Sequence, residues 1–250
     1  MPSPVVFVTG AGRGVGRAVA LRFASDGYAV AVTGRSHPHL RQTADAVGSS
    51  GREALALACD VTSRDEVARA VALAEQRLGP IDVLVNNAGV AGSASFVSME
   101  DALWDSTLAV NLTGTYNCMR AIAPGMFSRG YGRIINIAST AARVGFPYTA
   151  AYVAAKHGVL GLTRAVALEA AARGVTVNAV CPGWIDTGMT DRAVERIVER
   201  TGRPSGEARQ MLERMNPQQR LITPDEVAAV AAYLASPAAA GINGQDVDVP

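Results

Sequence analysis

Tyr152 and Lys156 stand four positions apart in "TAAYVAAKHGVLGLTRAVALEAAARG", a stretch otherwise made mostly of small apolar residues. On a helix that spacing places both side chains on one face, one turn apart. A phenol ordinarily keeps its proton up to a pH of about 10, and bringing that value to about 7 takes roughly 4 kcal/mol of preferential phenolate stabilisation. A neighbouring ammonium has the right sign to supply part of it, so the pair can serve as acid/base and electrostatic partner in proton transfer.

A second cluster, "TGAGRGVG", occupies residues 9 to 16 directly after an apolar run. Gly10, Gly14 and Gly16, with Val15 between the last two, would let the backbone turn sharply and let a diphosphate approach the N-terminus of a following helix. The end of the second apolar run, "VTGRSH", has Gly34 where an NAD-specific site would place an Asp or Glu, followed by Arg35. With Arg13 in the glycine loop, two arginines and no acid suit a ribose 2′-phosphate, which a guanidinium binds through paired hydrogen bonds. The expected cofactor is therefore NADP(H) in preference to NAD(H).

The elements that must position these residues follow from the alternation of short β-branched runs with longer helical stretches. Strands are expected at 5 to 8, 29 to 33, 54 to 59, 81 to 86, 133 to 138, 175 to 180 and 245 to 249. Between them lie amphipathic segments such as "RDEVARAVALAEQRLG" and "PDEVAAVAAYLASP", with acidic residues in their first turns. Continuous apolar strands imply burial on both faces. The expectation is one α/β domain over residues 1 to 250: a Rossmann-type, doubly wound parallel sheet of about seven strands with helices on both faces. The charge-rich segment 184 to 222 is expected to form a lid over the carboxyl edge of the sheet.

Composition narrows the partners. With 23 basic and 22 acidic residues the net charge is +1, which gives no electrostatic reason to expect nucleic acid or an anionic membrane. No apolar stretch approaches the length of a membrane span, and "MPSPVVFVTGAGRG" lacks the features of a signal peptide. Cys59, Cys118 and Cys181 are far apart, and His37, His39 and His157 are not spaced as ligands, so no metal site is expected. Reduced core cysteines in a cytoplasmic protein are the expectation.

Read in order, "TGAGRGVG", "CDV" at 59 to 61, "NNAG" at 86 to 89, "NLTG" at 111 to 114, "IAS" at 137 to 139, "YVAAK" at 152 to 156 and "NAVCPGWIDT" at 178 to 187 resemble the short-chain dehydrogenase/reductase family over essentially the whole chain. The resemblance implies a catalytic tetrad of Asn111, Ser139, Tyr152 and Lys156. Ser139 would bond the substrate oxygen, Lys156 would also bind the nicotinamide ribose, and Asn111, within a long helix, would hold a relay water. It further implies that Asp60 takes the adenine amino group with Val61 beside it. Asn87, Ala88 and Gly89 would run past the adenosine ribose, and Ile185 and Thr187 would hold the carboxamide after a turn shaped by Pro182 and Gly183.

The stretches "GRIINIASTAARVGFPYTAAYVAAKHGVLGLTRAVALE" and "GVTVNAVCPGWIDTGMT" resemble most the branch acting on 3-oxoacyl thioesters: acyl-carrier-protein reductases, aromatic polyketide ketoreductases and 3-hydroxyacyl-CoA dehydrogenases. A small-molecule or acyl-thioester substrate is expected. By analogy its pocket would be walled by Gly92, Ser93, Ala141, Val144, Phe146, Tyr148, Trp184 and Met189, with Arg192, Arg196 and Arg209 as lid cations that could meet carrier phosphates. Two alternatives stay open: an NAD-linked alcohol or sugar dehydrogenase, and a dinucleotide-binding scaffold without turnover. The resemblance also implies a homotetramer, and the family pattern continues past "VDVP" into a glycine-rich turn.

Overall fold

The computed structural model describes residues 3–250. Its strands are β1 (Val5–Thr9), β2 (Ala29–Gly34), β3 (Ala54–Ala58), β4 (Ile81–Asn86), β5 (Gly132–Ile137), β6 (Val175–Pro182) and β7 (Asp246–Val249). Its helices are α1 (Gly14–Ser25), α2 (His37–Gly48), α3 (Arg64–Leu78), α4 (Asp101–Leu108), α5 (Gly114–Arg129), α6 (Ala150–Ala171), α7 (Gly188–Thr201), α8 (Ser205–Glu213) and α9 (Pro224–Ala235). The strands form one sheet in the order β3-β2-β1-β4-β5-β6-β7, every pair parallel. This is the expected doubly wound arrangement, and all seven strands lie where the sequence places them.

Alternation along the strands explains why the sheet needs helices on both sides. Val6 and Val8 of β1 join a core with Val19 and Phe23 of α1 and Val227 and Ala231 of α9. Val5 and Phe7 point the other way, to Val67 of α3, Ile122 and Met126 of α5 and Ala167 of α6. Phe7 and Phe23 are fully buried, each contributing about 1.5–3 kcal/mol by leaving water. Burial on both faces holds for β1, β5 and β6 but not for β3, which is half exposed. That strand pairs only with β2, and an edge strand receives cover from fewer neighbours.

Local caps agree with the acidic first turns. The Ser63 hydroxyl accepts from Glu66 N at the start of α3. Thr223 and Glu226 form a reciprocal capping box on α9, which satisfies two amides that would otherwise be orphaned. Arg220 pairs with the same carboxylate and, first among the causes, holds Glu226 down at about 2. Among the described residues no helix is long and apolar enough to cross a membrane.

Candidate active site

Because β1 and β4 are neighbours while the chain winds outward from each, their carboxyl ends border a crevice at the switch in strand order. A cavity of about 1100 Å³ opens there and runs from Gly10 to Tyr152. Its far wall is made by α7 and the end of α8, through Met189, Arg192, Arg196 and Leu212.

The glycine loop is shaped by necessity. Gly10 and Gly14 have φ of 64° and 54°, left-handed values that a side chain would strain. Gly16 does not line the cavity; a Cβ there would lie 2.3 Å from the Gly10 carbonyl oxygen and 2.4 Å from the Asn87 amide nitrogen. Its part is to let α1 pack against the loop. Asn87 Nδ2 donates to the carbonyls of Thr9 and Gly10 at 2.9 and 3.2 Å. The Thr9 hydroxyl accepts from the amides of both Asn87 and Ala88 at 2.9 Å. This buried threonine was missed by sequence reasoning, although it is the residue that opens the "TGAGRGVG" string.

Arg13, Val15, Arg35, Asp60, Val61, Asn87, Ala88 and Gly89 line the same end of the cavity. Among the described residues neither Arg13 nor Arg35 has a carboxylate within ion-pair distance, which leaves both guanidiniums available to a ligand phosphate. Hydrogen bonds from Thr62 hold the Asp60 carboxyl below its usual range, with Arg35 contributing. Ser36 also lines the cavity, its hydroxyl 3.0 Å from His39 Nδ1. A hydroxyl directly after Arg35 was the signal that could have found it. Two free arginines, a left-handed glycine loop and a helix N-terminus fit a phosphorylated dinucleotide.

At the other end, Ser139, Tyr152 and Lys156 meet at the carboxyl ends of β5 and β6. Ser139 follows β5, and its hydroxyl accepts from Ala141 N at 3.1 Å. Lys156 Nζ donates to the Ile137 carbonyl at 2.8 Å and lies 5.7 Å from the Tyr152 ring centroid. Burial brings the Lys156 ammonium down to about 8. Burial likewise pushes the Tyr152 phenol above its ordinary value, with the Ser139 hydroxyl opposing. The Lys156 ammonium is turned to the Ile137 carbonyl, and burial dominates the phenol of the free chain.

Asn111 lies within the long helical run from 101 to 129, as expected, but at a π-helical turn, Ala109–Thr113, that joins α4 to α5. Its Nδ2 donates to the carbonyls of Val90 and Thr107, and its Oδ1 accepts from Val90 N. The side chain therefore ties the turn to the loop after β4. The widened turn brings Oδ1 within 2.8 Å of where a Gly89 Cβ would sit.

Pro182, Gly183, Ile185 and Thr187 all line the cavity. Buried Asn216 fixes this loop, accepting from Trp184 N and donating to the carbonyls of Trp184 and Arg220. A Gly183 Cβ would fall 2.3 Å from its Oδ1. Of the wall residues named from the sequence, Val144 lies outside the cavity and is half exposed, whereas the others line it. Arg192 and Arg196 line it too, joined by Arg200 one turn further on. Arg209 does not: it is spent on Asp186, Asp191 and Glu213 at 2.8, 3.5 and 3.5 Å.

A dinucleotide-sized cavity joined to a Ser-Tyr-Lys cluster on this sheet defines an oxidoreductase. Residues 4–197 match the short chain dehydrogenase family model, and the chain belongs to that family. It is 41% identical to a putative ketoacyl reductase of Streptomyces coelicolor over 99% of this chain and 95% of the relative. It is 38% identical to a 3-oxoacyl-[acyl-carrier-protein] reductase of Staphylococcus aureus over 97% and 94%. Among solved structures, a variant of actinorhodin polyketide ketoreductase with NADPH superposes with a TM-score of 0.96 at 40% identity, covering 100% of this chain and 97% of the other.

Proposed function

We propose that this chain is an NADPH-dependent ketone reductase acting on polyketide or 3-oxoacyl thioester ketones. The observation that carries the reading is the single cavity that unites Arg13 and Arg35 with Ser139, Tyr152 and Lys156. When bound, the cofactor supplies hydride to the carbonyl carbon and, once oxidised, a positive charge beside the phenol. Tyr152 delivers the proton to the carbonyl oxygen, and Ser139 donates to the same oxygen as negative charge develops. Lys156 holds the ribose hydroxyls and, charged at neutral pH with its value at about 8, restores the proton. Asp60, Val61, Asn87, Ala88 and Gly89 border the adenosine half, while Ile185 and Thr187 hold the carboxamide.

The names of the relatives support the substrate class, and the apolar wall of Phe146, Trp184 and Met189 supports an acyl chain or ring. The segment 184 to 222 acts as the lid, since α7 and α8 close the cavity opposite the sheet. Exposed Trp104 and Leu168, with the open edge of β7, support assembly into a homotetramer. Three buried free thiols suit a reducing, cytoplasmic setting.

The test is loss of reduced-nicotinamide absorbance with an acetoacetyl thioester, using NADPH and NADH in parallel. Turnover should favour NADPH, and Tyr152→Phe should lower kcat by about 10²–10⁴ while cofactor still binds. Equal use of NADH would sink the role given to Arg35; full activity in the phenylalanine variant would sink the acid.

A further inference from the structure

Among the described residues ten glycines have positive φ, but only two other residues do, Tyr148 at 66° and Gln219 at 54°. Left-handed backbone crowds Cβ against the following carbonyl, so a bulky residue there stores strain that glycine would release. Gln219 sits in an exposed turn outside the cavity. Tyr148 lines the cavity four residues before Tyr152.

The conformation is held from both sides. The Tyr148 carbonyl accepts from Ala94 N at 2.9 Å, tying its loop to the one after β4. On the other side the Thr149 hydroxyl donates to the Phe146 carbonyl at 2.9 Å, and α6 begins one residue later. The ring itself gains nothing from the chain. It is 61% exposed, and among the described residues its hydroxyl makes no hydrogen bond and its face meets no aromatic partner. A left-handed backbone held in place by its neighbours presents at the cavity wall an aromatic ring that goes uncompensated within the protein, a combination that belongs to a ligand-facing position.

We propose that Tyr148 is a specificity-determining residue whose ring stacks on the substrate and selects ketones carrying a fused or aromatic ring over short acyclic 3-oxoacyl groups. A flat ring gains from offset stacking on tyrosine, with Phe146 and Trp184 lining the same cavity, whereas a short acyl chain presents no such face. The inference rests on the reductase reading and names its substrate class.

The experiment compares kcat/KM for 2-tetralone and for an acetoacetyl N-acetylcysteamine thioester, with NADPH, in wild type, Tyr148→Gly and Tyr148→Phe. The bicyclic-to-acyclic ratio should fall about tenfold in the glycine variant and be retained in the phenylalanine variant, because the ring and not the hydroxyl does the selecting. The Tm of Tyr148→Gly should hold or rise as the strain is released. A glycine variant with the wild-type ratio, or one that loses both substrates in equal proportion, would overturn the proposal. Wild type that reduces neither ketone overturns the reductase reading itself and this inference with it, a result told apart by the wild-type arm alone.

Discussion

The two ends of the cavity are built on opposite terms. At the cofactor end glycines touch backbone, Asn87 Nδ2 and the Thr9 hydroxyl are fully engaged, and a single added methyl at Gly16 has nowhere to go. At the substrate end Tyr148 and Met215 are largely exposed, and Arg192, Arg196 and Arg200 have no acidic partner among the described residues. An invariant ligand allows a closely fitted site, whereas a substrate that must enter and leave calls for a wall held by fewer contacts.

The same chemical change made at each end separates them. Gly16→Ala should have the largest effect, since its Cβ would collide with the Gly10 carbonyl and the Asn87 side-chain amide: a loss near the top of the ~1–3 kcal/mol range for overpacking, with cofactor affinity reduced in parallel. Thermal unfolding and NADPH titration check both, and a fully stable alanine variant would break the contrast. Lys156→Met, at the boundary of the two ends, should abolish turnover yet stabilise the fold at pH 7. The burial penalty behind a value of about 8 is on the order of 3 kcal/mol, and loss of the Ile137 hydrogen bond returns about 1 kcal/mol of it.

The sign with pH follows from linkage. Below about 8 the lysine is charged in both folded and unfolded states, so the penalty is fully present; between there and its ordinary 10.5 the unfolded chain binds the extra proton and native stability climbs. The advantage of the methionine variant should therefore shrink as pH rises from 8 towards 10.5, as Tm measured at pH 7 and pH 10 would show. Smallest of all, Gly206→Ala in exposed α8, where a Cβ meets nothing within 4 Å, should gain about 0.5 kcal/mol through helix propensity. A loss there would mean the lid is packed as tightly as the glycine loop.

Local pattern made most of this legible. The strand runs and acidic first turns sit in contiguous sequence, so all seven strands and the starts of α3 and α9 could be placed from it. The Tyr152–Lys156 pair was equally plain from its helical spacing, whereas Ser139 came in only through the family resemblance. What escaped depends on partners far away in sequence. The π turn at Asn111 is set by Val90, the commitment of Arg209 by Asp186, and the hold of Asn216 by Trp184. The turn of Lys156 towards Ile137 escaped for a related reason: residue types show which charges can approach, but not which way an ammonium points.

The Thr9 hydroxyl has a kinetic consequence. One oxygen receives the amides of Asn87 and Ala88 and so staples the end of β1 to the segment leaving β4, across the crevice at which the two halves of the sheet diverge. A crevice pinned at its base resists parting of those halves, so loss of this one oxygen in Thr9→Val should quicken release of a bound dinucleotide.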